Sequence, residues 1–194
     1  IAWGNAEMKE GIWRRDENRG IELEGRTVGI IGCGHTGQAF ARKLQGFDVR
    51  ILAYDKYNCD GLPGYIEPCQ SLEAIYEQAD IISFHVPLQP DTIHYFNNAF
   101  VDAMRKHFIL INTSRGQVVD TLALQKGIAS GKITGACLDV FEQEPVAKMQ
   151  GAAGEAFKHL LHLPNVVMTP HIAGYTFDAL YKMSSVLLGK ISSL

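Results

Sequence analysis

The sequence has 194 residues, 46% hydrophobic and 20% charged, with a formal net charge of -3, enough for one domain with a real core and too little for two full ones. No run approaches the roughly 18 to 20 uninterrupted apolar residues of a membrane span, and the N-terminus, with Trp3, Glu7, Lys9 and Glu10, lacks the charged-then-apolar form of a signal peptide, so an intracellular, cytoplasmic location is expected. Near-neutral charge, with no basic run longer than Trp13-Arg14-Arg15, argues against a nucleic-acid partner.

In chain order, helical spacing over residues 2 to 14 precedes a strand-like run from Thr27 to Ile31. Helical segments at Gly37 to Leu44, Leu72 to Gln78, Asn98 to Met104 and Leu122 to Ser130 then alternate with apolar runs. Those runs are Val49 to Tyr54, Ile81 to Phe84, Phe108 to Ile111, Ile133 to Leu138 and Val166 to Met168. A last helix is expected over 176 to 191. Most of these strands carry little polar alternation, as strands buried on both faces should. The βαβ rhythm predicts a doubly wound parallel sheet in three α/β/α layers. Cys33, Cys59, Cys69 and Cys137 form neither CxxC pairs nor a regular framework and read as reduced thiols.

The stretch "RTVGIIGCGHTGQAFARKL" places Gly32, Gly34 and Gly37 between a strand and a helix. The first glycine permits the tight turn, the second lets the backbone approach a pyrophosphate, and the third lets helix and strand pack closely. His35 and Thr36 lie in the same turn. His35 either faces the pyrophosphate or simply points to solvent; the first reading predicts tighter dinucleotide binding below about pH 6.5. Asp55 closes "VRILAYD" near the roughly 20-residue offset of a ribose-binding acid. The pair predicts a Rossmann-type nucleotide site, and a carboxylate there favours NAD over NADP. Lys56 either softens that preference or is merely solvated.

Three further stretches close strands: "NTSRG" with Arg115, "LDVFEQEP" with Asp139 and Glu144, and "TPHIAG" with His171. Arginine offers a donor fork that matches a carboxylate, glutamate can orient and charge-stabilise an imidazole, and histidine can exchange a proton near neutral pH. Each residue taken singly also has an ordinary surface or loop role. Together they suit acid/base chemistry on an anion.

The set "VGIIGCGHTG", "HVPLQPDT", "ILINTSRG", "GACLDVFEQEP" and "NVVMTPHIAG", in this order, resembles the cofactor domain of the D-isomer-specific 2-hydroxyacid dehydrogenases over roughly residues 3 to 190. The resemblance implies NAD-dependent, reversible reduction of a small 2-keto acid to a D-2-hydroxy acid. It implies that Arg115 clamps the substrate, His171 gives the proton to the keto oxygen, and Glu144 hydrogen-bonds His171. It also implies that Asp139 faces the nicotinamide amide, that Val86, Pro87 and Thr92 line the cofactor groove, and that Thr113 and Ser114 lie along it. Ala173 and Gly174 follow His171 in the last motif and are counted with the cofactor contacts. Formate-oxidising relatives have glutamine where this chain has Glu144, so keto-acid reduction is favoured.

Residues 144 and 171 stand farther apart than the family usually shows. The extra stretch, "AKMQGAAGEAFKHLLHL" within residues 146 to 163, reads as a glycine-interrupted loop and a short amphipathic helix. It either covers the site or joins an interface, or is an inert surface insertion. His159 and His162 have metal-like spacing but no cysteine or carboxylate completing a ligand set, so no metal is expected. Tyr175, after the "HIAG" motif, either approaches substrate or, as the safer assignment, is a packed aromatic. In the family a second, substrate-binding domain comes from the N-terminal portion and C-terminal tail, so residues 1 to 194 are expected to be the NAD domain with its flanking linker helices. Homodimerisation through this domain is also implied. The alternative function class is an NAD-sensing corepressor, which can retain the same Arg, Glu and His.

Overall fold

The computed structural model describes residues 2–57 and 61–193, which leaves Cys59 outside the described residues. Helix α1 (Ala2–Lys9) comes first. It ends sooner than its apolar spacing suggests because Gly11 sits at φ 75°, a left-handed geometry that closes helices. Then follow β1 (Thr27–Ile31), α2 (His35–Leu44), β2 (Arg50–Tyr54), β3 (Glu67–Pro68), α3 (Glu73–Gln78) and β4 (Ile81–Phe84). The chain continues with α4 (Asn98–Ala103), β5 (Phe108–Asn112), α5 (Thr121–Ala129), β6 (Ile133–Leu138), α6 (Gly151–Leu160), β7 (Val166–Met168) and α7 (Phe177–Ser192).

The seven strands form one sheet in the order β3-β2-β1-β4-β5-β6-β7, and every pairing is parallel. The fold is therefore the expected doubly wound α/β sheet. The β3 strand, Glu67 and Pro68, has no apolar run to announce it. Proline is tolerated there because an edge strand needs no donor on its outer side. The order in which strands are added to the sheet reverses between β1 and β4, which opens a crevice at the carboxyl ends of those strands.

Successive strand residues feed opposite faces, as the pleat requires. Ile31, Leu52, Ile82 and Phe84 join one core with residues of α3, α4, α5 and α6. Ile30, Ile51 and Ala53 join the other with Ala41 and Leu44 of α2. The two helix layers are unequal: on the second face Ile109 and Ile111 are only partly buried. Helix starts follow local capping chemistry: the Asp120 carboxylate accepts from the N–H groups of Leu122 and Ala123 at 2.9 and 3.2 Å, and Asn97 accepts from Phe100 at 3.1 Å.

The extra stretch is not an inert surface insertion. Helix α6 begins at Gly151, earlier than a glycine-interrupted loop would allow, and Gly154 lies inside it where a Cβ would come within 2.8 Å of the Met149 carbonyl oxygen. It packs on α5, and Ala156, Phe157 and Leu160 are buried. Phe157 meets Phe141 edge-on at 5.2 Å between ring centroids. His159 and His162 are exposed. Among the described residues, no helix is long and apolar enough to cross a membrane.

Two adjacent leucines test whether α6 belongs to the core. Leu160 is 1% exposed and Leu161 52%. Leu160→Ala is expected to cost about 2–5 kcal/mol and Leu161→Ala less than about 1 kcal/mol, as read from urea unfolding midpoints.

Candidate active site

Two of the three glycines after β1 are crowded and one is open. A Cβ on Gly32, at φ 91°, would lie 2.7 Å from the His85 carbonyl, and one on Gly37 would lie 2.1 Å from the Gly32 carbonyl oxygen. The turn is thus compressed against β4 on one side and α2 on the other. A Cβ on Gly34 would meet nothing within 4 Å. Gly34 is the N-cap of α2 and makes no side-chain cap, so the helix amides face open space. That is the geometry a pyrophosphate needs.

Asp55 is placed by two backbone donors: the N–H groups of Cys33 at 2.8 Å and Tyr57 at 2.9 Å. It lines a cavity of about 220 Å³ together with Gly32, Gly34, Val86, Pro87 and Thr92. Five expected residues from separate segments are thereby brought to one crevice around Asp55. Thr92 pins its loop, donating to the Pro87 carbonyl at 2.7 Å and accepting from the Gln89 N–H at 2.8 Å. Lys56 is not simply solvated, since its ammonium lies 2.5 Å from Asp91. His35 and Thr36, in the first turn of α2, are exposed. The residues present fit a dinucleotide.

His85, at the floor of this cleft, bonds Ser83 Oγ through Nε2 at 2.9 Å and stacks on Phe40 at 5.1 Å. Burial pushes its imidazole down to about 4. It therefore stays neutral where a free histidine begins to charge.

The second group is built on β5, β6 and β7, which are neighbours in the sheet. After β5, the fully buried Asn112 shapes the turn that carries Arg115. Its Oδ1 accepts from the Ser114 N–H and hydroxyl at 3.1 and 2.8 Å, and its Nδ2 donates to the Arg115 carbonyl at 3.1 Å. Thr113 and Arg115 are exposed and Ser114 is buried. Asn112 was not among the expected site residues, although a buried amide closing an apolar strand is itself a signal of a shaped turn. Gly116 is a second organiser: a Cβ there would lie 1.7 Å from the Phe141 carbonyl oxygen, so only glycine lets these two loops touch.

After β6, Asp139 is 3% exposed. Its Oδ1 accepts from the Thr169 hydroxyl at 2.5 Å and the Ile172 N–H at 2.8 Å, and its Oδ2 from the Ala173 N–H at 2.9 Å. Expected beside the nicotinamide amide, it has both oxygens engaged by the turn that carries His171. His171 itself sits at φ 56°, an uncommon geometry for a residue with a Cβ. Its Nδ1 donates to Glu144 Oε2 at 2.7 Å, and Glu144 Oε1 accepts from the Phe141 N–H at 3.0 Å.

Burial pushes the Asp139 carboxyl up, but the donors from Thr169, Ala173 and Ile172, with His171 nearby, outweigh it and hold the group below its ordinary 3.8. Burial likewise opposes ionisation of Glu144; His171 and the Phe141 N–H prevail and hold it below 4.5. Both are carboxylates at neutral pH. An apolar hollow of about 520 Å³ adjoins His171 and Glu144, walled by Phe141, Phe157, Leu161 and Met168, so the insertion reaches this site. Tyr175 is not packed: it stands 70% exposed just before α7, a helix with no buried residue. Gly174 is exposed beside it.

Residues 1–173 match the family model described as "D-isomer specific 2-hydroxyacid dehydrogenase, NAD binding domain". Among curated relatives, a hydroxypyruvate reductase of Thermotoga maritima is 38% identical over 193 residues, covering 98% of this chain and 60% of the relative. A glyoxylate reductase of Thermofilum pendens is 39% identical over 186 residues, covering 92% and 52%. Among solved structures, a D-lactate dehydrogenase from Aquifex aeolicus complexed with NAD and lactic acid aligns with a TM-score of 0.84 at 31% identity, covering 97% of this chain and 59% of that one. The chain thus spans about half to three-fifths of the length of the proteins it matches.

The unequal crowding of the glycines is testable. Gly37→Ala is expected to destabilise by about 1–3 kcal/mol or more, because a backbone carbonyl must move, whereas Gly34→Ala should change stability by less than about 1 kcal/mol. Chemical denaturation of the two variants distinguishes them. A second expectation concerns pH. Because His85 binds its proton less readily when folded than the ordinary 6.5, its contribution to stability is fully present above about pH 6.5 and is lost as pH falls toward 4. His85→Gln should flatten the fall in melting temperature across that window.

Proposed function

The chain belongs to the D-isomer specific 2-hydroxyacid dehydrogenases, through their NAD binding domain, and from that premise we propose that the protein interconverts a small 2-keto acid and its D-2-hydroxy acid with NAD(H). The observation that carries the reading is the 2.7 Å His171–Glu144 pair, held on a turn braced by Asp139 at the same sheet end as Arg115 and the glycine crevice.

Bound NADH supplies the hydride. The chain's own residues do the rest. Arg115 takes the substrate carboxylate through its donor fork. Nδ1 of His171 is committed to Glu144, so Nε2 is the nitrogen that passes a proton to the keto oxygen. The Glu144 carboxylate fixes the ring and stabilises the imidazolium before transfer. Asp55 takes the ribose hydroxyls and repels a 2′-phosphate, which selects NAD over NADP. Gly32, Gly34, His35, Thr36 and Gly37 serve the pyrophosphate end. Val86, Pro87 and Thr92 wall the groove, and Thr113, Ser114, Asp139, Ala173 and Gly174 frame the nicotinamide end.

The names of the relatives point to small 2-keto acids such as hydroxypyruvate and glyoxylate, and the Aquifex aeolicus structure holds NAD with lactic acid. The same reading makes the protein a cytoplasmic homodimer. Support for the dimer is the exposed apolar surface of the end helices, including Trp3 and Met8 of α1 and Leu187 and Leu188 of α7.

The test is NADH oxidation by the full-length protein against a panel of 2-keto acids. His171→Ala should lower kcat by about 10²- to 10⁴-fold. Arg115→Lys should raise KM, since an ammonium cannot bind a carboxylate bidentately. NADPH should be the poorer cofactor. NADH binding without turnover of any keto acid would overturn the reading in favour of a nucleotide-sensing role.

A further inference from the structure

Three loops leave the carboxyl ends of β4, β5 and β6. The first carries Val86, Pro87 and Thr92, the second Arg115, and the third Asp139 and Glu144. One histidine of the first loop bonds to both of the others. The His94 N–H donates to the Gln117 carbonyl at 2.7 Å, and its Nε2 donates to Glu142 Oε2 at 3.0 Å. The other oxygen of Glu142 accepts from the Thr121 N–H at 2.7 Å, at the start of α5. Just beyond, the Phe96 N–H donates to Val118 at 3.0 Å and the Asp120 N–H to Phe96 at 2.9 Å.

The Phe141–Glu142 peptide is the hub of this arrangement. Its carbonyl oxygen lies against Gly116, next to Arg115, and the N–H of the preceding peptide, that of Phe141, donates to Glu144, the partner of His171. His94 is held at φ 50°, where a residue with a Cβ stays only if its surroundings hold it.

We propose that His94 and Glu142 form a second histidine–glutamate pair that clasps the three loops and sets the spacing of Arg115 to His171, making both of them positioning residues for the reaction. The inference rests on the functional reading above. The His94 side chain is 45% exposed and that of Glu142 19%, so the pair adds little to global stability. Its effect is on geometry, where a displacement near 1 Å can cost up to about 10²-fold in rate. The cofactor wall is secured separately by Thr92, so dinucleotide affinity should not follow.

The experiment uses the full-length protein with His94→Asn, Glu142→Ala and the double variant. Asparagine suits the left-handed backbone but is too short to reach Glu142, which separates the contact from the conformation. His94→Asn is expected to lower kcat/KM for the keto acid by about 10- to 100-fold, with the Kd for NADH within about twofold. The double variant should be no worse than Glu142→Ala alone, which already removes the His94 contact along with that to Thr121. A folded His94→Asn variant with unchanged kcat and KM, or losses that multiply in the double variant, would sink the proposal. Absence of turnover in the unaltered protein would instead fail the functional reading. Amide hydrogen exchange over residues 116 to 121 then still decides: faster exchange in His94→Asn is expected, and unchanged exchange overturns the clasp.

Discussion

The buried carboxylate of Asp139 is the constraint on which the candidate acid/base site depends. An anion that is 3% exposed is costly unless its lone pairs are satisfied, and here the donors all come from residues 169 to 173. That requirement ties the end of β6 to the turn after β7 and forces the turn into one shape. His171 takes its left-handed backbone from that shape, and its ring is then aimed at Glu144. A residue with no part in the proposed proton transfer thereby determines where the proposed proton donor, His171, stands.

Close backbone contact supplies the complementary half. At Gly32, Gly37 and Gly116 a single methyl group would collide with a carbonyl. The first two compress the strand-to-helix turn so that the α2 amides open onto the crevice; the third brings the loop of Arg115 against the loop of Glu144. Charge and shape are divided between these devices. Glycines bring the loops together, and the carboxylates of Asp55, Asp139 and Glu144 orient them by accepting backbone N–H groups.

Much of this was legible in the residues. The strands were readable from doubly buried apolar runs, since a parallel sheet covered on both faces leaves little alternation. The glycine spacing and Asp55 announced the crevice, and strand-end Arg115, Glu144 and His171 announced the chemistry proposed for the β5-β6-β7 side of the sheet. Other features carried no such signal. The β3 strand is two exposed residues. Helix α1 stops where Gly11 turns left-handed, which apolar spacing does not encode. The stretch before His171 looked detachable because glycines at 151 and 154 mimic a loop, yet Gly154 is there for close packing and Leu160 enters the main core.

The sequence by itself determined the order of the main strands and helices, the parallel sheet and the candidate groups for binding a dinucleotide and moving a proton, because periodicity and local turn chemistry depend on near neighbours in the chain. Only the tertiary structure decided that Asp139 spends both oxygens on the His171 turn, that Gly116 meets Phe141, and that His94 reaches Glu142. Those contacts join residues 25 to 48 positions apart. Their partners are selected by which strands lie side by side at the sheet's carboxyl edge, a three-dimensional adjacency that no local pattern records.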